Sequence, residues 1–83
     1  MAKRGFRKLV DIWGSEQATA EVHDALKAFL LARDIQFQRH HHTDAYQRDF
    51  HRYLVQSKDL CCAQAVLPAL REIQAGVVRG AGA

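Results

Sequence analysis

The apolar spacing between residues 16 and 33 constrains the fold of this chain more than any other feature of its sequence. Five apolar side chains recur there at the three- and four-residue intervals of one helical face: Val22, Ala25, Leu26, Phe29 and Leu30. Polar side chains fall largely on the remaining surface: Glu21, His23, Asp24 and Lys27. The segment from Glu16 to Arg33 is therefore predicted to be a helix with one side buried against a core.

The segment before it shows similar spacing. Phe6, Leu9, Val10 and Trp13 follow one another at intervals of three, one and three residues, which places them on one face of a helix. Gly14 would end this helix, and the hydroxyl of Ser15 would cap the next. The sequence thus predicts a first helix before residue 14.

The segment from Asp34 to Arg39 alternates instead, with Ile35 and Phe37 separated by glutamines, and this pattern predicts a short strand or an extended linker. Beyond it, four side chains again have helical spacing, which predicts a third helix capped by Thr43 or Asp44: Tyr46, Phe50, Tyr53 and Leu54. A hairpin pairing residues 35–40 with 46–54 is the alternative. We favour the helix, because the strand would place Arg48 and Arg52 on the same face as Phe50.

Ser57, Lys58 and Asp59 indicate a break, after which apolar side chains continue at helical spacing from Leu60 to about Ala75. Pro68 lies inside this span and predicts a kink or the start of a second helix, because proline lacks an amide donor. The Gly- and Ala-rich tail at 77–83 is predicted to fray. The resulting fold class is mainly α: a compact bundle of three to four helices, with a short strand or hairpin near residues 34–54 as the alternative.

The chain has 83 residues and a formal net charge of +3, so residues 1–83 are predicted to form a single small domain. No acid occurs among the first eight residues, which hold four cations: Lys3, Arg4, Arg7 and Lys8. The remaining residues therefore carry one net negative charge. The basicity belongs to an N-terminal arm at residues 1–8, which is the candidate surface for nucleic acid.

The stretch from Gln36 to Tyr53 is the candidate functional region, since it holds four of the five histidines, three arginines and four aromatic residues. His40, His41 and His42 are consecutive, and neighbouring side chains do not converge on a tetrahedral metal. Cys61 and Cys62 have no identifiable base beside them and are expected to pack as small hydrophobic residues. We therefore expect no metal, no cofactor and no enzymatic activity.

Aromatic and arginine side chains dominate the energetics of protein interfaces, and this composition predicts a module that binds a larger protein. The expected role is a cytoplasmic regulator or inhibitor, of the kind that phages and mobile elements encode, with a second copy of the chain as another partner. No segment is long and apolar enough to predict a membrane span. The alternative is a nucleic-acid-binding accessory protein that uses the basic arm. The predicted partner-binding residues are Arg39, His41, Tyr46, Arg48, Arg52, Tyr53 and Trp13.

Overall fold

The computed structural model describes the backbone of residues 5–82 and the side chains of residues 5–76. Lys3 and Arg4 therefore lie outside the described residues, whereas the backbone of the tail, predicted to fray over 77–83, is helical as far as Gly82. Six elements make up the fold: β1 (Phe6–Trp13), α1 (Ala20–Ala32), β2 (Phe37–Thr43), β3 (Asp49–Gln56), α2 (Leu60–Ala63) and α3 (Leu67–Gly82). Single 3₁₀ turns at Ser57–Asp59 and Gln64–Val66 flank α2.

The architecture is α+β, and the predicted bundle of three to four helices is wrong. The three strands form an antiparallel sheet in the order β1-β3-β2, so the last strand in sequence lies at the centre. Within residues 5–76, strands account for 32% of the residues and helices, 3₁₀ turns included, for 46%. The sheet is therefore a major part of the architecture, beside the helices.

Strand β1 replaces the predicted first helix, and a β-bulge interrupts the alternation of its side chains. Leu9 and Ile12 are both buried although they lie three residues apart, an interval that regular alternation would place on opposite faces. The pairing with β3 shifts between Lys8 and Val10, where one extra residue enters the strand. The bulge thus places Leu9 and Ile12 on the core side, whereas Phe6 and Trp13, the two ends of the predicted helical stripe, lie on the opposite face beside Gln56 and Phe50.

Strands β2 and β3 form a hairpin where a third helix was predicted. Its turn covers residues 44–48. The side chains of β3 that face the core are His51, Tyr53 and Val55, whereas Phe50 is only partly buried on the opposite face. The sequence prediction assumed that Phe50 must be buried, and this assumption led to the choice of a helix.

Helix α1 confirms the helix predicted from the apolar stripe, but it begins at Ala20, four residues later than expected. The hydroxyl of Ser15 accepts the amide of Ala18 at 3.1 Å, so it stabilises the turn before the helix and not the helix itself. Val22, Leu26 and Leu30 are buried as predicted. His23 was predicted on the surface, yet it is also buried.

The C-terminal region follows the prediction more closely. The break at Ser57–Asp59 is present, and α3 begins at Leu67, so that Pro68 occupies its first turn, where a missing amide donor is harmless. Helix α2 contacts β1 and β3, while α3 packs against α1. Cys61 and Cys62 are both exposed and free, which contradicts the expectation of buried cysteines.

All described helices contribute to one core, and this core lies on a single side of the sheet. Its members are Leu9, Ile12, Val22, Leu26, Leu30, Ile35, Tyr53, Val55, Ala63, Val66 and Leu70. The other side of the sheet remains exposed to solvent and is called the open face below. Within the described residues, no helix is long and apolar enough to cross a membrane.

Candidate functional site

Two adjacent cross-strand rows of side chains occupy the end of the open face near the β2–β3 turn, beyond a third row formed by Lys8, Leu54 and Gln38. Trp13 of β1, Phe50 of β3 and His42 of β2 lie side by side in the first row, because these residues are direct partners in the register. Asp11, Arg52 and His40 form the second row in the same order. Aromatic and charged side chains therefore alternate along the strands of this face.

The first row is a continuous aromatic surface. The rings of Trp13 and Phe50 have centroids 4.4 Å apart, and the ring of Phe50 is stacked on that of His42 at 5.2 Å. Trp13 remains 45% exposed despite these contacts. An indole that is packed on one side and free on the other is suited to a second binding partner.

Arg48 extends this aromatic surface into the β2–β3 turn. Its guanidinium lies 5.2 Å from the ring centroid of Trp13 and 5.3 Å from that of Tyr46, so that it joins the two rings by cation–π contacts. Tyr46 is 79% exposed at the end of the turn. We call Trp13, Tyr46, Arg48, Phe50 and Arg52 the aromatic–arginine patch.

Asp44 holds the turn and thereby the patch. One oxygen of its carboxylate accepts the backbone N–H groups of Tyr46 and Arg48, both at 2.9 Å, and the other accepts the Arg48 side chain at 2.7 Å. These donors, led by the backbone amide of Arg48, lower the pKa of Asp44. The side chain of Arg48 is consequently held beside Trp13 before any partner binds.

A second carboxylate fixes Arg52 in the same way. Asp11 accepts two hydrogen bonds from the Arg52 guanidinium at 2.9 and 3.1 Å, and its carboxylate lies 3.6 Å from the ammonium of Lys8. Hydrogen bonding to Arg52 is the chief reason that the pKa of Asp11 is lowered. Arg52 in turn lies over the Phe50 ring at 5.5 Å. Lys8, Arg48 and Arg52 therefore all have carboxylate partners on this face.

The opposite, helix-covered face holds a chain of polar side chains at one end of the core. The Tyr53 hydroxyl and His23 Nδ1 are joined by a hydrogen bond of 2.6 Å. The His23 ring meets the His51 ring edge-on at 5.0 Å, and the His51 ring is stacked on that of His41 at 4.8 Å. His41 Nε2 reaches the Asp49 carboxylate at 3.2 Å. This series of side chains thus runs from the buried hydroxyl of Tyr53 to the exposed carboxylate of Asp49.

Burial determines the protonation of the two histidines in this series of polar side chains. It lowers the pKa of both His23 and His51; nearby positive charge lowers each further, from His51 and Arg39 in the case of His23 and from Arg39 and His41 in the case of His51. His23 Nε2 and His51 Nδ1 are enclosed and lack a hydrogen-bond partner among the described residues. Both rings are therefore neutral at pH 7, because burial and the neighbouring cations outweigh the opposing effect of the Glu16 and Asp49 carboxylates.

A cleft of about 320 Å³ opens beside His41 and Asp49, at the exposed end of this series of side chains, and we call it the histidine cleft. It is lined by Ser15, Glu16, Arg39, His41, Asp49 and His51. Arg39 crosses it and reaches Glu16 at 3.2 Å. The nearby hydroxyl of Tyr53, followed by the carboxylate of Glu16, raises the pKa of Arg39, which keeps a fixed positive charge at this point.

The residues predicted to bind a partner are divided between these two surfaces. Trp13, Tyr46, Arg48 and Arg52 belong to the aromatic–arginine patch, while Arg39, His41 and Tyr53 lie on the helix-covered face, where Tyr53 is fully buried. Of the basic arm, Arg7 and Lys8 form part of β1. The arm residues Lys3 and Arg4 lie outside the described part of the chain.

Sequence reasoning missed the residues that depend on strand pairing. Phe50 was assigned to the core, His23 to the surface, and Asp49 and Glu16 to no site. Only the alternation of Phe50, Arg52 and Leu54 with His51, Tyr53 and Val55 could have indicated two faces in this segment. Residues 5–76 contain no group of three or more histidine, cysteine or acidic side chains arranged to hold a metal ion.

Comparison of the chain with protein-family models, with curated proteins and with solved structures gives no match. The two surfaces are therefore interpreted from their own geometry.

Proposed function

We propose that this chain is a binding module that regulates or inhibits a larger protein and docks on it through the aromatic–arginine patch. The observation that carries the proposal is the exposed stack of Trp13, Arg48 and Tyr46 on a face that no described helix covers. Tryptophan, tyrosine and arginine are the residue types in which interface binding energy is concentrated.

The patch is organised in advance of binding, which favours a role in recognition. Asp44 fixes Arg48, Asp11 fixes Arg52, and the Trp13 ring is packed against Phe50. Side chains that are already ordered lose little conformational entropy when a partner binds. The exposed rings of Trp13 and Tyr46 then serve as anchors for pockets on the partner.

The charges on the open face favour a protein over a nucleic acid. Arg52 forms a two-bond pair with Asp11, which also lies beside Lys8, and Arg48 is paired with Asp44. A phosphate backbone would have to compete with both carboxylates for these cations. A protein surface that presents a mixture of polar and apolar groups needs no such exchange.

The second candidate function is binding of a single-stranded nucleic acid. The continuous ring surface of Trp13, Phe50 and His42 favours it, because bases stack on such platforms. The basic arm would contribute phosphate contacts. This alternative predicts affinity that falls steeply with salt and is lost in the double variant Lys3→Gln/Arg4→Gln, which leaves β1 intact.

The module acts without a cofactor in this proposal, and we place it in the cytoplasm. The partner is a larger protein, and a second copy of the chain is the other candidate. We assign no enzymatic step to the patch, since it consists of aromatic rings and of arginines that are bonded to carboxylates. In its small size and its exposed binding face, the protein resembles the regulators or inhibitors that phages and mobile elements encode.

Affinity capture from the native host tests the proposal. Tagged wild-type chain is compared with a Trp13→Ala/Tyr46→Ala double variant and with Leu31→Ala, a matched control whose side chain is 69% exposed on α1. We expect one protein to be retained by the wild type and the control but lost from the double variant. With that protein purified, calorimetry should show affinity at least about tenfold weaker for the double variant.

Two results would count against a protein partner. Retention of the captured protein by the double variant would remove the patch from the interface. Loss of capture after nuclease treatment, together with strong dependence on salt, would transfer the patch to the nucleic-acid alternative.

A further inference from the structure

The histidine cleft adjoins the aromatic–arginine patch at the end of the sheet. A shallow depression of about 450 Å³ lies between the patch and the cleft. It is lined by Trp13, Gly14, Ser15, Arg48 and Asp49. Ser15 and Asp49 line both cavities. A partner seated on Trp13 and Arg48 therefore reaches the cleft without leaving the surface of the protein.

The charge of the cleft defines the ligand that it accepts. Glu16 and Asp49 oppose the single guanidinium of Arg39, so the lining carries one net negative charge while its imidazoles are neutral. An anion entering this cleft would meet both carboxylates. A cation is attracted by the net charge and finds the neutral ring of His51 beside it.

Hydrogen-bond acceptors are also free in the cleft. One oxygen of Asp49 accepts from both His41 and Thr43, and none of the described residues donates to the other oxygen. Glu16 uses Oε2 for Arg39, which leaves Oε1 free within the described part of the chain. Two carboxylate oxygens in one cleft match the several donors of a guanidinium or ammonium group.

We propose that the histidine cleft is the binding site for an arginine or lysine side chain of the protein partner, held by Asp49 and Glu16 next to the aromatic–arginine patch. This inference rests on the proposed function, because it supplies the chemistry of the partner: a cationic side chain beside the segment that contacts Trp13. The site selects against an acidic side chain at the same position.

The cleft is also sensitive to pH. Protonation of His51 would cancel the net negative charge of the cleft, because this ring faces Arg39, Glu16 and Asp49, with His41 stacked on it, His23 and Tyr53 behind it and Lys27 near His23. The attraction for the bound cation would then be lost. Binding is thus strongest above the usual titration range of imidazole and weakens below it.

Nuclear magnetic resonance on the full chain tests the site without the partner. The probes are N-acetylarginine amide and its uncharged analogue N-acetylcitrulline amide. We expect the arginine probe at pH 7.5 to shift the ring signals of His41 and His51 and the amide of Asp49, and the citrulline probe to leave them unchanged. At pH 5.5 the affinity should fall about fivefold, as expected for one added charge near ion-pair distance.

Variants assign the effect to the carboxylates. Asp49→Asn and Glu16→Gln should each weaken the arginine probe about fivefold, whereas Glu72→Gln, an exposed acid on α3, serves as the matched control and should change nothing. Amide spectra that superimpose outside the cleft verify that each variant is folded. Glu16→Gln keeps the test decisive if Asp49→Asn disturbs the hairpin.

Three outcomes would overturn the proposal: equal shifts from both probes, affinity that is unchanged or higher at pH 5.5, or ring shifts caused by inorganic phosphate and not by the arginine probe. None of these depends on capture of a partner. Failure of the histidine cleft is therefore distinguishable from failure of the aromatic–arginine patch, which is judged by the Trp13→Ala/Tyr46→Ala variant.

Discussion

At the scale of single residues, Tyr53 and Tyr46 show how the same side chain serves two purposes in one chain. Tyr53 is fully buried, and its hydroxyl is bonded to His23 inside the core. Burial raises the pKa of this phenol. Tyr46 lies seven residues earlier and is almost entirely exposed beside Arg48. The sequence assigned both to one contact surface, and only strand pairing separates them.

Removal of one hydroxyl group distinguishes their roles. Tyr53→Phe should lower the free energy of unfolding by about 1–2 kcal/mol, because His23 Nδ1 is left buried without its partner. Tyr46→Phe is the matched control and should have no measurable effect on stability. Urea denaturation of both variants measures the difference. Equal stability of Tyr53→Phe and wild type would show that the buried hydrogen bond contributes nothing.

At the scale of elements, the β2–β3 turn carries the clearest local strain. Gln47 has a φ of +67°, a left-handed conformation that side chains other than glycine adopt at a cost. The amide of Gln47 bonds to the carbonyl of Asp44 at 3.1 Å, and the amide of Asp44 bonds to the carbonyl of Arg48 at 3.0 Å. This is the pattern of a three-residue hairpin loop, whose last position normally holds glycine.

Gln47→Gly should therefore stabilise the protein by about 0.5 kcal/mol, since relief of the left-handed strain exceeds the added flexibility of the unfolded chain. Gln38→Gly, in the regular part of β2, is the control and should destabilise it by about 0.5–1 kcal/mol. Thermal unfolding of both variants provides the comparison. A lower melting temperature for Gln47→Gly would mean that the Gln47 side chain has a stabilising contact outweighing the strain.

The elements also explain where prediction from sequence succeeded. The apolar stripe of α1 needs only its own period, and the break at Ser57 and the position of Pro68 follow from local backbone chemistry. The prediction for β1 was wrong because the bulge between Lys8 and Val10 interrupted the alternation that marks a strand.

The prediction for β3 was wrong because the strand face that holds Phe50 and Leu54 looked more apolar than the face that holds His51, although His51 is the buried residue.

At the scale of the whole molecule, two neutral histidines inside a small core link stability to pH. The pKa values of His23 and His51 are lowered in the folded protein, so the unfolded chain binds more protons below about pH 6.5, the ordinary value for imidazole. Their contribution to stability is therefore complete above this pH. It is lost as the pH falls from the unfolded value towards the lower folded values.

Between pH 7.5 and 5.5 the free energy of unfolding should fall by about 1 kcal/mol for each of the two histidines. His51→Phe removes one of the groups and should reduce this loss by roughly half, whereas the exposed His40→Ala should leave it unchanged. Urea titrations at the two pH values measure the loss. Stability that is flat across this range would indicate that both rings are charged or solvated in the folded protein.

The sequence by itself determined helix α1, the C-terminal break and helix start, and the types of residue that a binding surface would use. These features depend on local periodicity and backbone chemistry, which any few consecutive residues specify. The tertiary structure alone decided the sheet and therefore the sites. Pairing of β3 with both β1 and β2 assigns each side chain to one of two faces, and a single bulge or a one-residue shift reverses that assignment. For this reason the stretch from Gln36 to Tyr53, which reads as one surface, forms an aromatic–arginine patch on one side of the sheet and a histidine cleft on the other.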